Sequence, residues 1–177
     1  MDSAHFTRAE FGATGAPAEA QANLATVTFP RLEVFRAVLG APMVTTSGYR
    51  SPALNEAVGG SDTSDHVNGL AWDGYVKGHG LPGVWSAWRD ADRAGLLPPF
   101  DQVIFYPFTS GHIHIGFGSR GRRQWLLALS EGGYSGPTVG LLARAGFTDP
   151  GPAANTAAAF ALALTAFLFL RTRKGTA

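Results

Sequence analysis

Four side chains in this sequence belong to types that bind metals or move protons, at spacings that can bring them together: His66, Asp73, His112 and His114. His66 and Asp73 lie seven positions apart, in a stretch read as a loop over 62–68 followed by a strand over 69–76. His112 and His114 alternate with apolar residues in GHIHIGF over 111–117, and such alternation in a strand turns both imidazoles to one face. Two imidazoles on one face, beside a loop-borne histidine and a strand-borne carboxylate, can make a three-ligand zinc site. A fourth position then stays open to water, as hydrolysis requires. Neither pair is specific alone, because histidines fall two apart by chance and so do H-x6-D pairs. The chain has no cysteine, so thiolate zinc fingers, iron–sulfur clusters, disulfide scaffolds and cysteine nucleophiles are excluded.

These residues need elements to hold them. The apolar spacing of Phe29, Leu32, Phe35, Val38 and Leu39 predicts a helix over 24–39, with Pro30 in its first turn and Gly40 as its stop. Thr7 and Glu10 have the spacing of a capping box. Short β-branched or alternating runs predict strands over 42–46, 69–76, 102–106 and 112–117, the last two joined as a hairpin. Short helices are expected over 53–58 and 141–145, and a longer one over 83–94; 132–138 reads as turn-rich. Helices, then strands, a helix and a hairpin make an α+β chain with a small antiparallel sheet and flanking helices, not an alternating βαβ one.

The chain is 177 residues long, 45% hydrophobic and 15% charged, which suits one folded domain with a core and little left over. Its 14 basic and 13 acidic side chains nearly cancel, so there is no whole-chain electrostatic case for nucleic acid. The division expected is a domain over 1–145, a Gly/Pro-rich linker over 146–156 and a hydrophobic tail helix over 157–177. The start has no basic run or apolar stretch of an export signal. The tail reads AAAFALALTAFLFL over 157–170, then RTRK. Fourteen helical residues span about 21 Å against a hydrocarbon core of about 30 Å, so a buried helix and a membrane anchor both remain open. As an anchor, its basic flank would stay cytoplasmic and the folded domain would lie on the other side of the membrane.

Several residues carry plainer readings. Trp72, Trp85, Trp88 and Trp125 are expected to pack, His5 and His79 to lie at the surface, and Asp62 and Asp65 to be loop-solvated. Arg120, Arg122 and Arg123 form a basic cluster, either a solvated turn or an attraction to an anionic wall or membrane. Tyr49 either lines a cleft or anchors a turn.

The run TSGYRSPALN over 46–55, VGGS over 58–61, and then Ser64, Asp65, His66, Gly69, Ala71 and Asp73 resemble the zinc D-alanyl-D-alanine carboxypeptidase/endopeptidase family, with VanY-like enzymes, phage endolysin peptidases and the Hedgehog-type fold among its relatives. HFTRAEF over 5–11 and FDQVI over 100–104 fit a subgroup common in phages. The resemblance implies a small zinc peptidase acting on the stem peptides of bacterial peptidoglycan, as a phage-type lytic enzyme that would face the cell wall from a membrane-anchored tail or ride in a virion. It implies zinc ligands at His66, Asp73 and His114, a histidine near the metal at His112, and at Arg50 an arginine for the substrate carboxylate or the developing oxyanion. Many members carry an acidic base three residues before the last ligand, where this chain has Gly111. His112 is then the candidate base, and Asp101 a candidate to hold a ligand histidine by its other ring nitrogen. The missing acid also leaves an alternative, a non-catalytic zinc-stabilised module that binds the cell wall on the same fold.

Overall fold

A computed structural model describes residues 1–130 and 132–148. Its helical entry runs through α1 (Ala18–Asn23), a π-helical segment (Leu24–Thr28) and α2 (Phe29–Leu39). Pro30 has no N–H to donate and its ring crowds the carbonyl four residues back, and the widened π segment immediately precedes it. Gly40 ends α2 in the left-handed conformation. Thr7 and Glu10 do form the reciprocal capping bonds, Glu10 Oε2 accepting from the Thr7 N–H at 3.0 Å and Thr7 Oγ1 from the Glu10 N–H at 3.2 Å. They close a turn without a continuing helix.

The rest follows as β1 (Met43–Ser47), α3 (Pro52–Ala57), a 3-10 turn (Asp65–Asn68), β2 (Ala71–Val76), α4 (Leu81–Arg93), β3 (Gln102–Phe105), β4 (Ile113–Gly116), β5 (Gln124–Ala128), β6 (Tyr134–Ser135) and α5 (Val139–Arg144). The α+β class and the four expected strands are present, but the sheet is neither small nor wholly antiparallel. It has six strands in the order β1-β2-β4-β3-β5-β6, and β3 pairs with β5 in parallel. β5 joins through a long-range pairing beyond the hairpin, and β6 lies within the stretch expected to be turns only.

Alternation along the strands separates core from chemistry. Trp72, Val103, Phe105, Ile113, Ile115 and Leu127 are buried in one cluster with Leu32 and Phe35 of α2 and Val84, Trp85 and Trp88 of α4. Burying each such side chain contributes about 1.5–3 kcal/mol. The tryptophans pack as expected, Trp88 also donating its indole N–H to the Phe35 carbonyl at 3.0 Å. Phe147 stacks on Trp85, so the packed unit reaches that residue. Asp73, His114, Ile104 and Gln102 alternate with the core positions and belong to the opposite face. Among the described residues no helix is long and apolar enough to cross a membrane. The hydrophobic tail over 157–177, and all but the first residues of the linker, lie outside the described residues.

Candidate metal centre

Asp73 and His114 are direct cross-strand partners in β2 and β4, which sets their side chains side by side. His66 comes from the 3-10 turn that leads into β2, and that turn is pinned from several sides. Thr28 Oγ1, in the π segment, donates to the Gly69 carbonyl at 2.7 Å, and Asn23 Nδ2 donates to the Asn68 carbonyl at 2.9 Å. Gly69 caps the turn at φ 68°, and a Cβ there would come within 2.5 Å of the Ala20 carbonyl oxygen, so glycine is needed for both conformation and space. The Arg50 N–H donates to the His66 carbonyl at 3.2 Å, tying the turn to the segment after β1.

The result is a buried group of His66, Asp73 and His114 whose ligand atoms all lie within 4.8 Å of one another. Asp73 Oδ1 is 2.7 Å from His114 Nδ1 and 3.2 Å from His66 Nε2. His66 Nδ1 lies 2.5 Å from the Gly48 carbonyl oxygen, which can only accept. The proton therefore sits on Nδ1, and the Nε2 lone pair is left for a metal. Burial alone would raise the Asp73 pKa, but the adjoining imidazoles of His114 and His66 outweigh it and hold the carboxyl well below the usual carboxylate range. An ionised carboxylate with two imidazoles suits zinc in ligand type and number. The three residues thus fit the expected ion.

Arg50 does not stand apart as a lone substrate cation. Its Nη2 donates to Asp73 Oδ2 at 2.5 Å and its Nε to Ser47 Oγ at 2.9 Å, which turns Asp73 Oδ1 toward the histidines. Two of the five guanidinium N–H donors are used in this way. His112 lines the cleft beside the group, its Nδ1 in a short hydrogen bond with Ser110 Oγ. Burial lowers the His112 pKa, more than the Asp73 carboxylate raises it, which favours the neutral ring. Gly111, in the acid's expected position, has φ 69°, a left-handed conformation that disfavours any residue with a side chain.

Three expectations need correction. Asp101 touches no ligand histidine: it is fully buried and accepts from Arg122 at Nε (3.0 Å), Nη2 (2.7 Å) and the backbone N–H (3.1 Å), with Arg120 Nε at 3.2 Å. The Gly48 carbonyl does for His66 what Asp101 was expected to do. Asp65 is not loop-solvated; both its oxygens lie 3.1 Å from Arg120 Nη2. The basic cluster is not a free patch, since Arg120 and Arg122 pair with Asp65 and Asp101, and Arg123 with Asp92. Tyr49 packs, partly buried, against the core, and its backbone N–H donates to the Phe11 carbonyl at 2.8 Å. His5 is an exposed residue bonded to Glu33, and His79 is exposed.

Tyr106 and Tyr134 went unnoticed in the sequence. Tyr106 follows β3, its ring stacked 4.0 Å from that of His112, and its hydroxyl lies 3.4 Å from that of Tyr134. Burial, then the hydrogen bond with Tyr134, raises the Tyr106 pKa, so the phenol stays a neutral donor. The signal was available: alternation along 102–106 puts Tyr106 on the face of Gln102 and Ile104, and the hairpin sets it opposite His112.

A sequence model of the family described as Peptidase M15 matches residues 4–116, a span that contains all three candidate ligands, Arg50 and His112. A search of curated proteins finds no match.

Proposed function

We propose that this chain, which belongs to the peptidase M15 family of zinc peptidases, hydrolyses peptide bonds in the stem peptides of bacterial peptidoglycan as a cell-wall lytic enzyme of the phage type. The observation that carries the reading is the buried His66–Asp73–His114 group opening into a cleft of about 460 Å3. Zinc held there supplies Lewis acidity, polarising a carbonyl and bringing the pKa of water toward about 7. The chain's own residues do the rest. His112, with Nδ1 held by Ser110, takes a proton at Nε2 from the attacking water and returns it to the leaving amine as the C–N bond breaks. Tyr106 fixes the plane of that ring by stacking. Arg50 orients Asp73 and offers its remaining N–H donors to the oxyanion that develops on the carbonyl oxygen.

Gly111 favours a second reading, a wall-binding module without catalysis. Digestion of purified cell walls by the zinc-loaded protein, with and without chelator, separates the two: release of stem-peptide fragments supports the enzyme, and wall binding without release supports the module. The composition of 157–177 supports a membrane anchor that holds the peptidase near the wall, raising its effective concentration at the substrate.

A further inference from the structure

Tyr134 reaches the polar cleft from β6, beyond the end of the family match at residue 116. The sheet register brings it there. Ile104 on β3 pairs with Leu126 on β5, so Leu126 and, two positions on, Ala128 share the face of the metal group. Ala128 is buried yet stands outside the core cluster, as Ile104 does. Tyr134 is the direct cross-strand partner of Ala128 and takes the same face. The register that sets Phe105 beside Leu127 also brings Ala128 level with Tyr106. A small alanine side chain between them leaves room for two large rings. They meet edge to face, with centroids 6.3 Å apart at 87°.

Packing does not account for Tyr134, which is 58% exposed. Its hydroxyl is nevertheless held 3.4 Å from that of Tyr106, whose own ring stacks on His112. One hydroxyl of such a pair donates to the other, which leaves one O–H free for a third group. Burial keeps the Tyr106 phenol protonated. Both phenols line the polar cleft, where Arg50 also has N–H donors to spare. The guanidinium suits an oxyanion or a carboxylate, while the neutral phenol pair suits an uncharged acceptor. In a peptide that acceptor is a backbone carbonyl, and the exposed ring offers apolar area to the chain beside it.

We propose that Tyr134 and Tyr106 together anchor the substrate peptide away from the scissile bond: the hydroxyl pair donates to one backbone carbonyl, and the Tyr134 ring packs on the adjoining chain. This rests on the stem-peptide reading above. Tyr134 is then a specificity-determining residue, touching substrate but not the reacting atoms.

Two synthetic stem peptides, one with free carboxylates and one amidated throughout, test the anchor on the zinc-loaded full chain. Tyr134→Phe should raise KM about 3–10-fold on both, the worth of one hydrogen bond, with kcat, zinc content and Tm unchanged. Tyr134→Ala, which also loses the ring, should raise it further. An unchanged KM in Tyr134→Ala, a loss on the acid peptide alone, or a loss that appears in kcat rather than KM overturns the proposal. If the wild type cleaves neither peptide, the peptidase reading fails by itself, and the same comparison is read from Kd by calorimetry. The same loss in Kd sustains the anchor; equal Kd values, or no binding by the wild type, overturn it too.

Discussion

His66 is held by its carbonyl partner at Gly48, Asp73 by Arg50, and His114 by its strand partner, so each ligand atom is aimed before any ion arrives. His66→Ala, Asp73→Ala and His114→Ala should therefore each lose zinc and activity together, measured by metal content and turnover on the same preparations. His112→Ala should keep stoichiometric zinc and lose about 10²-fold or more in turnover, the contribution of a general base. Zinc retained in His114→Ala would break the ligand set. That His66, Asp73 and His114 come together was legible because a two-residue period and a loop-to-strand transition are local features, while the division of roles among them and His112 came only with the family resemblance. Asp101 was misread because its partners, Arg120 and Arg122, lie about twenty residues on, in a connection whose path no local pattern specifies. Arg50's bond to Asp73 was hidden for the same reason, and Tyr106 needed only the hairpin register.

The connection from β4 to β5 carries the two arginines that neutralise Asp101 and Asp65, so these carboxylates tie it to the sheet and to the His66 turn. Burial would raise the Asp101 pKa, but its bonds from Arg122 lower it overall. A lowered folded pKa means the stabilisation is complete above the unfolded value of about 3.9 and is lost as pH falls through the folded value. Asp101→Asn should cost about 1–3 kcal/mol at pH 7, less than a fully buried pair, since the arginine side chains are 39–43% exposed. The Tm gap between wild type and Asp101→Asn should close below about pH 4; a gap constant down to pH 2 would contradict the pairing. In the turn before β4, Gly111→Glu restores an acid only at a backbone cost of about 1–2 kcal/mol. A lowered Tm without gain in turnover is the expected result. Element positions were mostly legible from period and turn residues, while the parallel β3–β5 pairing was not, since it joins segments that no hairpin connects.

In the whole molecule, a sheet with its core on one face and a metal group on the other is continued by an apolar sequence over 157–170 with a basic end. If that tail anchors the enzyme, full-length protein should pellet with membranes and resist carbonate extraction, while a chain ending at Pro152 stays in the supernatant and digests walls. Full-length protein that remains in the supernatant without detergent would remove the anchor. The account rests above all on zinc-dependent cleavage, and the most direct measurement is mass spectrometry of the material released from purified peptidoglycan by metal-loaded and chelated protein. The expected result is stem-peptide fragments with new termini at a peptide bond, abolished by chelator and restored by added zinc. Walls bound but chemically unchanged, or fragments released equally with and without chelator, would contradict it.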